Sequence, residues 1–303
     1  MRPFLLIPKL HIHNANALSG SYIIGFPAMT AWLGFVHALQ RKLQAGGFPE
    51  IALCKAAVSC HDCNVQVYKG EYDYKYSIIG TSNPLKKKGK EFERPPFIEE
   101  PRCHLVVSLL IELNNLAVEN DNMFLGAVRE ILPQLKVAGG DIEKISTLQI
   151  LYVDEDEPQT IAHAVRRLMP GYVIIDRSDL LKEPLPEGKD TLDQLLDVLS
   201  VRFTPKEHTG ADAIPQWSPQ KQQPGWLIPL AVGFKDISGP MRVRHQRSYD
   251  YEHHFAESVV TICEFKMPFH FRDLEEIMWN YQTIPQLGLY LCKNSNQWNT
   301  KQH

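Results

Sequence analysis

The sequence predicts an α+β fold with the ferredoxin-like or RRM-like layout and an irregular α/β C-terminal extension. Apolar strand-like segments and amphipathic helical segments follow one another in the order β-α-β-β-α-β over the first half of the chain. A polar, proline-rich stretch at about 78–101 separates the second and third strands and indicates an insertion. We therefore divide the chain into a body at 1–203 with helical additions, a loop at 204–225, and a β/α portion at 226–303 that packs on the body.

The first two elements are the best defined. Phe4–Ile12 is an apolar strand in which Pro8 indicates a bulge or an edge position. A helix follows, with Thr30 as the expected N-cap and Gly46-Gly47 as its stop. Its apolar residues recur at helical spacing and predict a stripe that faces the core: Trp32, Phe35, Val36, Leu39 and Leu43.

Four further elements complete the predicted order. They are two strands at Ile51–Cys60 and Asn64–Tyr76, a buried strand at Cys103–Leu113, and an amphipathic helix at Phe124–Leu135, followed by a strand or hairpin interrupted at Gly139-Gly140. The second half is less regular. It contains a helix at Glu157–Met169, a short strand at Tyr172–Ile175, a helix at Thr191–Arg202, and one or two buried strands at 225–234.

Composition restricts the class of protein. The net charge of −3 and the pI near 6.5 do not indicate a strongly basic, free-standing nucleic-acid-binding protein, so any such contact depends on local clusters. Pro3 and Pro8 break the N-terminal apolar run, and no stretch has the length of a membrane span. We expect a cytoplasmic protein without a membrane partner, with its six cysteines reduced and mostly buried.

No motif indicates catalysis or a cofactor. Cys60 and Cys63 have the spacing of a zinc knuckle or redox pair, but no second ligand pair accompanies them, which favours buried strand cysteines. The histidines are isolated in the sequence, and His253 and His254 are expected to face opposite sides of a strand. There is no phosphate-binding P-loop and no dinucleotide-binding glycine motif. We expect neither a metal nor another cofactor.

Clusters of basic residues offer local contacts for nucleic acid. Lys86, Lys87, Lys88 and Lys90 lie in the insertion, close to the aromatic residues Tyr72, Tyr74, Tyr76 and Phe92. Lysines beside aromatic rings suit a phosphate backbone with unpaired bases, although a solubilising loop tip gives the same pattern. A second cluster contains Arg242, Arg244 and Arg247, and the first two are expected to share one face of a strand.

Blocks of residues also resemble a known family. The most specific blocks lie between His13 and Arg41: Asn14–Ala17, Gly25–Pro27 and Gly34–Arg41. Others follow in order at Asn83–Leu85, His104–Leu110, Ala138–Gly140, Leu168–Gly171, Pro224–Pro229 and Gly288–Tyr290. Together they are similar to the second Csy subunit family of type I-F CRISPR surveillance complexes, a Cas-five-like branch of the RAMP superfamily.

The resemblance implies an RRM-like palm, with the insertion forming a β-hairpin thumb. It implies a non-catalytic subunit that grips the 5′ handle of the CRISPR RNA, pairs with the large Csy subunit and abuts a backbone Csy subunit. Contact with target DNA is a further expectation. A separate endonuclease subunit of the family processes the RNA, so this chain is expected to have no catalytic residues. The alternatives are a RAMP endoribonuclease that cleaves CRISPR RNA, and an adaptor that does not contact RNA.

We expect RNA contacts from side chains and from uncovered backbone. The amides of Asn14 and Asn16 suit base edges and 2′-hydroxyls, although an Asx-turn is an equally good reason for asparagine there. Glycine leaves backbone N–H groups open to phosphate. The full set of expected RNA contacts is Asn14, Asn16, Gly25, Phe26, Arg41, Lys86, Lys87, Lys88, Lys90, Gly139, Gly140, Arg242 and Arg244.

Overall fold

Strand β1 (Arg2–Asn16) lies in the middle of a large sheet because its first half is apolar on both faces. Phe4 and Leu6 pack into one core, and Leu5 and Ile7 pack into another on the opposite face. The computed structural model describes residues 1–80, 85–94, 99–181, 185, 187–205, 217–246 and 248–294. Within these residues the chain is a mixed α/β protein in which strands predominate.

The elements are numbered in chain order. The strands before residue 115 are β1, β2 (Leu18–Gly20), β3 (Ile23–Ile24), β4 (Ala52–Val65), β5 (Val67–Tyr68), β6 (Ser77–Ile78), β7 (Lys86–Lys88), β8 (Glu91–Glu93) and β9 (Arg102–Asn114). The later strands are β10 (Lys136–Val137), β11 (Gly140–Lys144), β12 (Gln149–Val153), β13 (Tyr172–Asp176), β14 (Val201–Pro205), β15 (Trp217–Lys221), β16 (Trp226–Asp236), β17 (Ala256–Lys266), β18 (Trp279–Ile284) and β19 (Leu289–Asn294). The α-helices are α1 (Met29–Ala45), α2 (Asp121–Ile131), α3 (Pro158–Arg167) and α4 (Thr191–Leu199).

The first half of the chain forms an antiparallel sheet around β1. Strand β9 pairs with one edge of β1, while β11 and β12 pair with different stretches of the other edge. Strand β4 pairs with the far edge of β9, so the spatial order is β11 or β12, β1, β9, β4. Helices α1 and α2 connect these strands and pack on the same core.

The C-terminal strands continue this sheet. Strand β13 pairs with β4 and is followed in space by β17, β16, β19 and β18. Strand β18 then returns to β4, where Trp279 lies opposite Ala56, so the pairings close a ring of six strands. The buried indole Nε1 of Trp279 donates a hydrogen bond of 2.8 Å to the carbonyl oxygen of Ile174. Residues 226–294 are therefore joined to the body by backbone pairing.

Two apolar cores cover the two faces of the sheet. The larger core lies under α1 and α2, and the predicted stripe of α1, from Trp32 to Leu43, is buried there. The smaller core lies under α3 and the short 3-10 segment Leu274–Glu276, and it contains Phe4, Leu110 and Val165 among others. No helix within the described ranges has the length and apolar character to cross a bilayer.

Several boundaries differ from the sequence-based expectation. Helix α1 begins at Met29, with Ala28 as its N-cap, so the expected cap at Thr30 is wrong. The two strands expected at Ile51–Cys60 and from Asn64 onward are one strand, β4, with a bulge between Cys60 and Asp62. A strand accommodates such a bulge by adding one unpaired residue, and the polar residues in the bulge made the sequence look like a loop.

The second half contains two similar corrections. The helix expected to reach Arg202 ends at Leu199, because residues 201–205 pair with 217–221 as the hairpin β14–β15. Part of the loop expected at 204–225 is therefore strand, and residues 206–216 lie outside the described ranges. The capping box of α4 is formed by Asp190 and Asp193.

The insertion between β4 and β9 contains the expected hairpin. Lys86–Lys88 pairs with Glu91–Glu93, and a single bridge between Gly80 and Pro101 closes its base. The excursion begins earlier than predicted, at the small β5–β6 pair. Residues 81–84 and 95–98 lie outside the described ranges, and Asn83 is among them.

Candidate nucleic-acid interface

One face of the sheet changes from apolar to polar part-way along β1. The register of β1 against β9 shifts between Ile7 and Leu10, and Lys9 within this bulge has a positive φ of 45°. Beyond it, Leu10 and Ile12 remain in the larger core, so His11 and His13 point to the opposite face. Helix α3 and its core cover that face only near Phe4 and Leu6.

We use the name open face for the polar side chains of β1, β9 and the end of β4 that lie beyond this bulge. Its members are His11, His13, Asn14, His61, Asp62, Asn64, Gln66, Arg102 and His104.

The centre of the open face is a pair of stacked imidazoles. The rings of His13 and His104 lie 4.6 Å apart between centroids, with an interplanar angle of 27°. The backbone N–H of Asn14 donates to Nδ1 of His104 at 3.3 Å. Nε2 of Gln66 lies 3.2 Å from Nε2 of His104 and donates to Oδ1 of Asn14 at 3.2 Å. The pair is thus held in place by two amides.

Charged side chains lie on the strands that carry this pair and on their neighbours. Arg102 precedes His104 on the same face of β9, is half-buried, and forms an ion pair with Glu100 at 3.1 Å. Lys9 and Lys144 are exposed on the neighbouring bulge and edge strand. Carboxylates accompany them: Glu100 pairs with Arg102, Asp141 lies opposite His13, and Asp62 lies at the end of β4, so the open face carries charges of both signs.

His61 connects the open face to a cleft. Its Nε2 lies 2.7 Å from Oγ of Ser108, and the same Oγ accepts the backbone N–H of Lys9 at 3.0 Å. Burial, and secondarily the positive charge of Lys9, lowers the pKa of His61 below its ordinary value. The side chain is therefore neutral at physiological pH.

The cleft, which we call the aromatic cleft, has a volume of about 360 Å³. It opens where β4 leaves β13, because these strands pair only at Ser59 and Cys60. Four aromatic side chains line it: Phe26, Tyr172, Trp226 and Phe265. Trp226 meets Tyr172 at 5.3 Å and Phe265 at 5.1 Å between ring centroids, and 54% of its surface is exposed.

The RNA contacts that were predicted near the N-terminus lie in different surroundings in the structure. Asn14 belongs to the open face, whereas Oδ1 of Asn16 accepts the Leu18 N–H at 2.8 Å, which is the Asx-turn alternative. Phe26 is 5% exposed and stacks on Trp32, so its ring is packed in the core with one side toward the cleft. Gly25 also lines the cleft.

The remaining predicted residues are spread over the molecule. Gly139 is exposed, but Gly140 is buried with its Cα against the backbone of β1, so the expectation of an uncovered backbone at Gly140 is wrong. Arg41 is exposed on α1, which lies on the other side of the sheet from the open face.

The basic clusters also differ in their setting. The hairpin lysines Lys86, Lys87, Lys88 and Lys90 are all exposed. Lys88 forms an ion pair with Glu93 at 3.2 Å. Arg242 and Arg244 are exposed too, but in a turn-containing loop, so the expected shared strand face is wrong. Arg247 lies outside the described residues.

Sequence reasoning missed the contacts that define the two sites. His13 and His104 are not isolated, since β1 and β9 bring them together across 91 positions. Gln66, Tyr172 and Trp226 were not proposed as contacts. The available signal was polar residues alternating with apolar ones at the ends of long strands, which marks an open sheet face.

Cysteine and metal chemistry has little support at this interface. Cys60 is buried, and burial raises the pKa of its thiol to about 12, whereas Cys63 is exposed rather than buried as expected. Within the ranges that the structure describes, no three His, Cys, Asp or Glu side chains are placed to hold a metal ion.

Comparison with known proteins identifies the family. Residues 5–292 match the family described as CRISPR-associated protein (Cas_Csy2). The chain belongs to the Csy2 family. It is also 30% identical over 315 residues to a protein described as CRISPR-associated protein Csy2 from Pseudomonas aeruginosa (strain UCBPP-PA14), covering 94% of this chain and 93% of that relative. The Csy2 match spans β1 to β19, so it includes the open face, the aromatic cleft and the hairpin.

Proposed function

We propose that this Csy2-family chain is a non-catalytic subunit of a type I-F CRISPR surveillance complex that binds the 5′ handle of the CRISPR RNA. Csy2 membership supports a role in the type I-F Csy complex and implies assembly with other Csy subunits. The observation that carries the RNA-binding part is the open face, where stacked His13 and His104 lie beside two amides and Arg102 on an uncovered sheet.

The proposal includes a ferredoxin-like, RRM-like palm of the Cas-five-like RAMP type. The spatial order β12, β1, β9, β4, with all pairs antiparallel, supports it. A ferredoxin-like β-α-β-β-α-β chain places its four strands side by side in the order fourth, first, third, second, which is the order seen here. RRM-like sheets bind single-stranded RNA by stacking bases on side chains of the sheet face. The stacked imidazoles, with Asn14 and Gln66 beside them, supply this chemistry on the open face.

A paired substitution tests the open face. We expect His13→Ala with His104→Ala to reduce the amount of guide RNA that co-purifies with the assembled complex, because a stacking surface is lost. The matched control is His37→Ala with His163→Ala, which removes two exposed imidazoles on α1 and α3, away from the open face. Equal RNA retention in both double variants would contradict the proposal.

The β7–β8 hairpin is proposed as the thumb that lies along the RNA backbone. Its four lysines are exposed, and each phosphate contact releases counterions. Changing Lys86, Lys87, Lys88 and Lys90 to Gln is expected to weaken guide retention, and changing them to Glu is expected to weaken it further. Unchanged retention and target binding in the Glu variant would remove the hairpin from the mechanism.

A second candidate function is favoured by one observation. Two imidazoles in contact on an exposed surface are the groups that metal-independent ribonucleases use as acid and base. Incubating the purified chain with repeat RNA in the presence of a chelator separates the two functions. Specific cleavage that disappears in the His13→Ala variant would establish the endoribonuclease and overturn the non-catalytic proposal.

The partners are proposed on the family resemblance. We propose direct contacts with the large Csy subunit and with the adjacent backbone subunit, and a contact with target DNA after the guide has paired. Co-expression with the other Csy subunits, followed by crosslinking, tests each contact. If no crosslink joins RNA to this chain in the complete complex, the chain is an adaptor that binds protein alone.

A further inference from the structure

We propose that the aromatic cleft binds one unpaired nucleobase of the guide RNA, a base that carries an exocyclic amino group. This inference rests on the proposed function and extends it, because it assigns a second, enclosed subsite next to the open face. The argument has three steps: the shape of the cleft, its charge, and its position.

The shape of the cleft suits a flat aromatic ligand. Its volume of about 360 Å³ lies at the small end of the range of ligand pockets, which is roughly 300–1,000 Å³. Tyr172 and Phe265 contact the Trp226 indole at interplanar angles of 72° and 52°, so neither ring is stacked flat on it. About half of the Trp226 surface remains exposed. Base–aromatic stacking uses such a surface and accepts any base.

The charge of the cleft excludes a phosphate and selects among bases. None of the described residues that line it is lysine or arginine. Asp62 is the one acidic residue among the described lining residues, and burial lowers the pKa of the lining residue His61, which is neutral at physiological pH. A carboxylate accepts hydrogen bonds and donates none, so it pairs with the amino groups of adenine, cytosine or guanine, whereas the one donor on the pairing edge of uracil, N3–H, is flanked by two carbonyl oxygens that repel the carboxylate.

The position of the cleft connects it to the open face. His61 lines the cleft, and its Nε2 lies 2.7 Å from Oγ of the buried Ser108. Phe26 and Phe265 of the cleft belong to the larger core, on the other side of the sheet from the open face. An RNA strand on the open face therefore has to pass His61, where the pairing of β4 with β13 ends, to place one base in the cleft. Gly25 also lines the cleft, and a Cβ at this position would have no atom within 4 Å. The entrance is open on that side.

Chemical probing of the guide in the complete complex tests the proposal before target DNA is added. Dimethyl sulfate modifies the pairing edges of adenine and cytosine, kethoxal that of guanine, and a carbodiimide that of uracil. We expect one amino-bearing base of the unpaired guide to be protected, and to become at least about 5-fold more reactive in Trp226→Leu, the lower bound for loss of one stack. Asp62→Asn should expose the same base, and Trp217→Leu, which changes an exposed tryptophan on β15, should not.

The outcomes are distinct. If Trp226→Leu retains RNA and leaves every reactivity unchanged, the cleft does not hold a guide base, while the proposed function stands. If Trp226→Leu loses a protein subunit with base reactivities unchanged, the occupant is a side chain of a neighbour, and the proposal is overturned. Protection of a uracil, or of a base only after target DNA is added, overturns it as well. If no RNA co-purifies with the wild-type complex, the proposed function itself fails.

Discussion

Two adjacent glycines at the turn between β10 and β11 provide a direct test of how the candidate site is built. Gly139 has a φ of +76°, and the nearest atom to a Cβ placed there is Nη1 of Arg102 at 3.6 Å. Gly140 needs no unusual φ, but a Cβ there would lie 2.7 Å from the carbonyl oxygen of His13 and 2.8 Å from the backbone nitrogen of Ala15. Glycine is thus required at position 139 because the backbone φ is positive there, and at position 140 because the backbone of β1 lies too close for a Cβ.

The expected costs of alanine at these positions differ. At Gly139 the left-handed conformation costs roughly 1–2 kcal/mol for a residue with a Cβ. At Gly140 the clash is with the backbone of β1, which β9 holds from its other edge, so the cost lies at the top of the roughly 1–3 kcal/mol seen for overpacking. Both substitutions regain about 0.4–1 kcal/mol by restricting the unfolded chain. We therefore expect a net loss of about 2 kcal/mol for Gly140→Ala and about 1 kcal/mol or less for Gly139→Ala.

Denaturant unfolding of the full chain, with guide retention measured on the same variants, checks this reasoning. The midpoint should fall clearly further for Gly140→Ala than for Gly139→Ala, with the slope unchanged. Any loss of RNA should follow the loss of stability. A stable Gly140→Ala variant that binds guide RNA poorly would refute the argument, because it would mean that the backbone at Gly140 is exposed to phosphate after all.

Three further predictions concern stability. Trp279→Phe leaves the buried carbonyl of Ile174 without its donor and leaves a cavity, so we expect a loss of about 2–4 kcal/mol in the unfolding free energy by calorimetry or denaturant. The folded chain disfavours protonation of His61, so its contribution is present above a pH of about 6.5 and is lost as the pH falls through the lowered pKa of the folded state. His61→Gln should thus lose less stability than the wild type between pH 7.5 and 5.5, and an identical loss would disprove the assignment. Arg2 forms ion pairs with the nearly buried Glu112 at 2.8 Å, with Glu275 at 2.8 Å and with Glu155 at 2.6 Å. Arg2→Met should therefore cost roughly 1–3 kcal/mol, below the cost for a fully buried pair because Arg2 is partly exposed. A variant as stable as the wild type in a thermal melt would show that these ion pairs together contribute nothing.

The local sequence pattern predicted an element correctly where the residues of that element alone determine its structure. The stripe from Trp32 to Leu43 predicted α1 and its buried face, since a 3.6-residue repeat specifies which side of a helix is apolar. Gly46 ends this helix as expected, with its N–H bonded to the Lys42 carbonyl oxygen at 2.9 Å. The proline-rich pattern predicted the insertion at about 78–101, whereas the hairpin found at 86–93 was expected from the family resemblance.

Local pattern failed where a distant segment completes the structure. The bulge at Cys60 and Asp62 looked like a break between strands, because the pairing that carries β4 through it comes from β9. Val201 and Arg202 looked like the end of α4, and the residues from 204 onward looked like a loop, because the strand that pairs with 201–205 lies at 217–221. In both cases the sequence near the residue did not contain the group that decides its conformation.

The candidate site follows the same division. The sequence by itself determined the family, through blocks between His13 and Arg41, and it placed Asn14, Gly25 and the hairpin lysines near RNA as an expectation. It also determined which side chains have the chemistry to stack, to accept hydrogen bonds or to neutralise phosphate. Tertiary structure alone decided that His13 stacks on His104, and that Phe26, Tyr172, Trp226 and Phe265 enclose one cleft. The physical reason is that these side chains come from strands far apart in the chain, and only the backbone pairing of the sheet sets their distances.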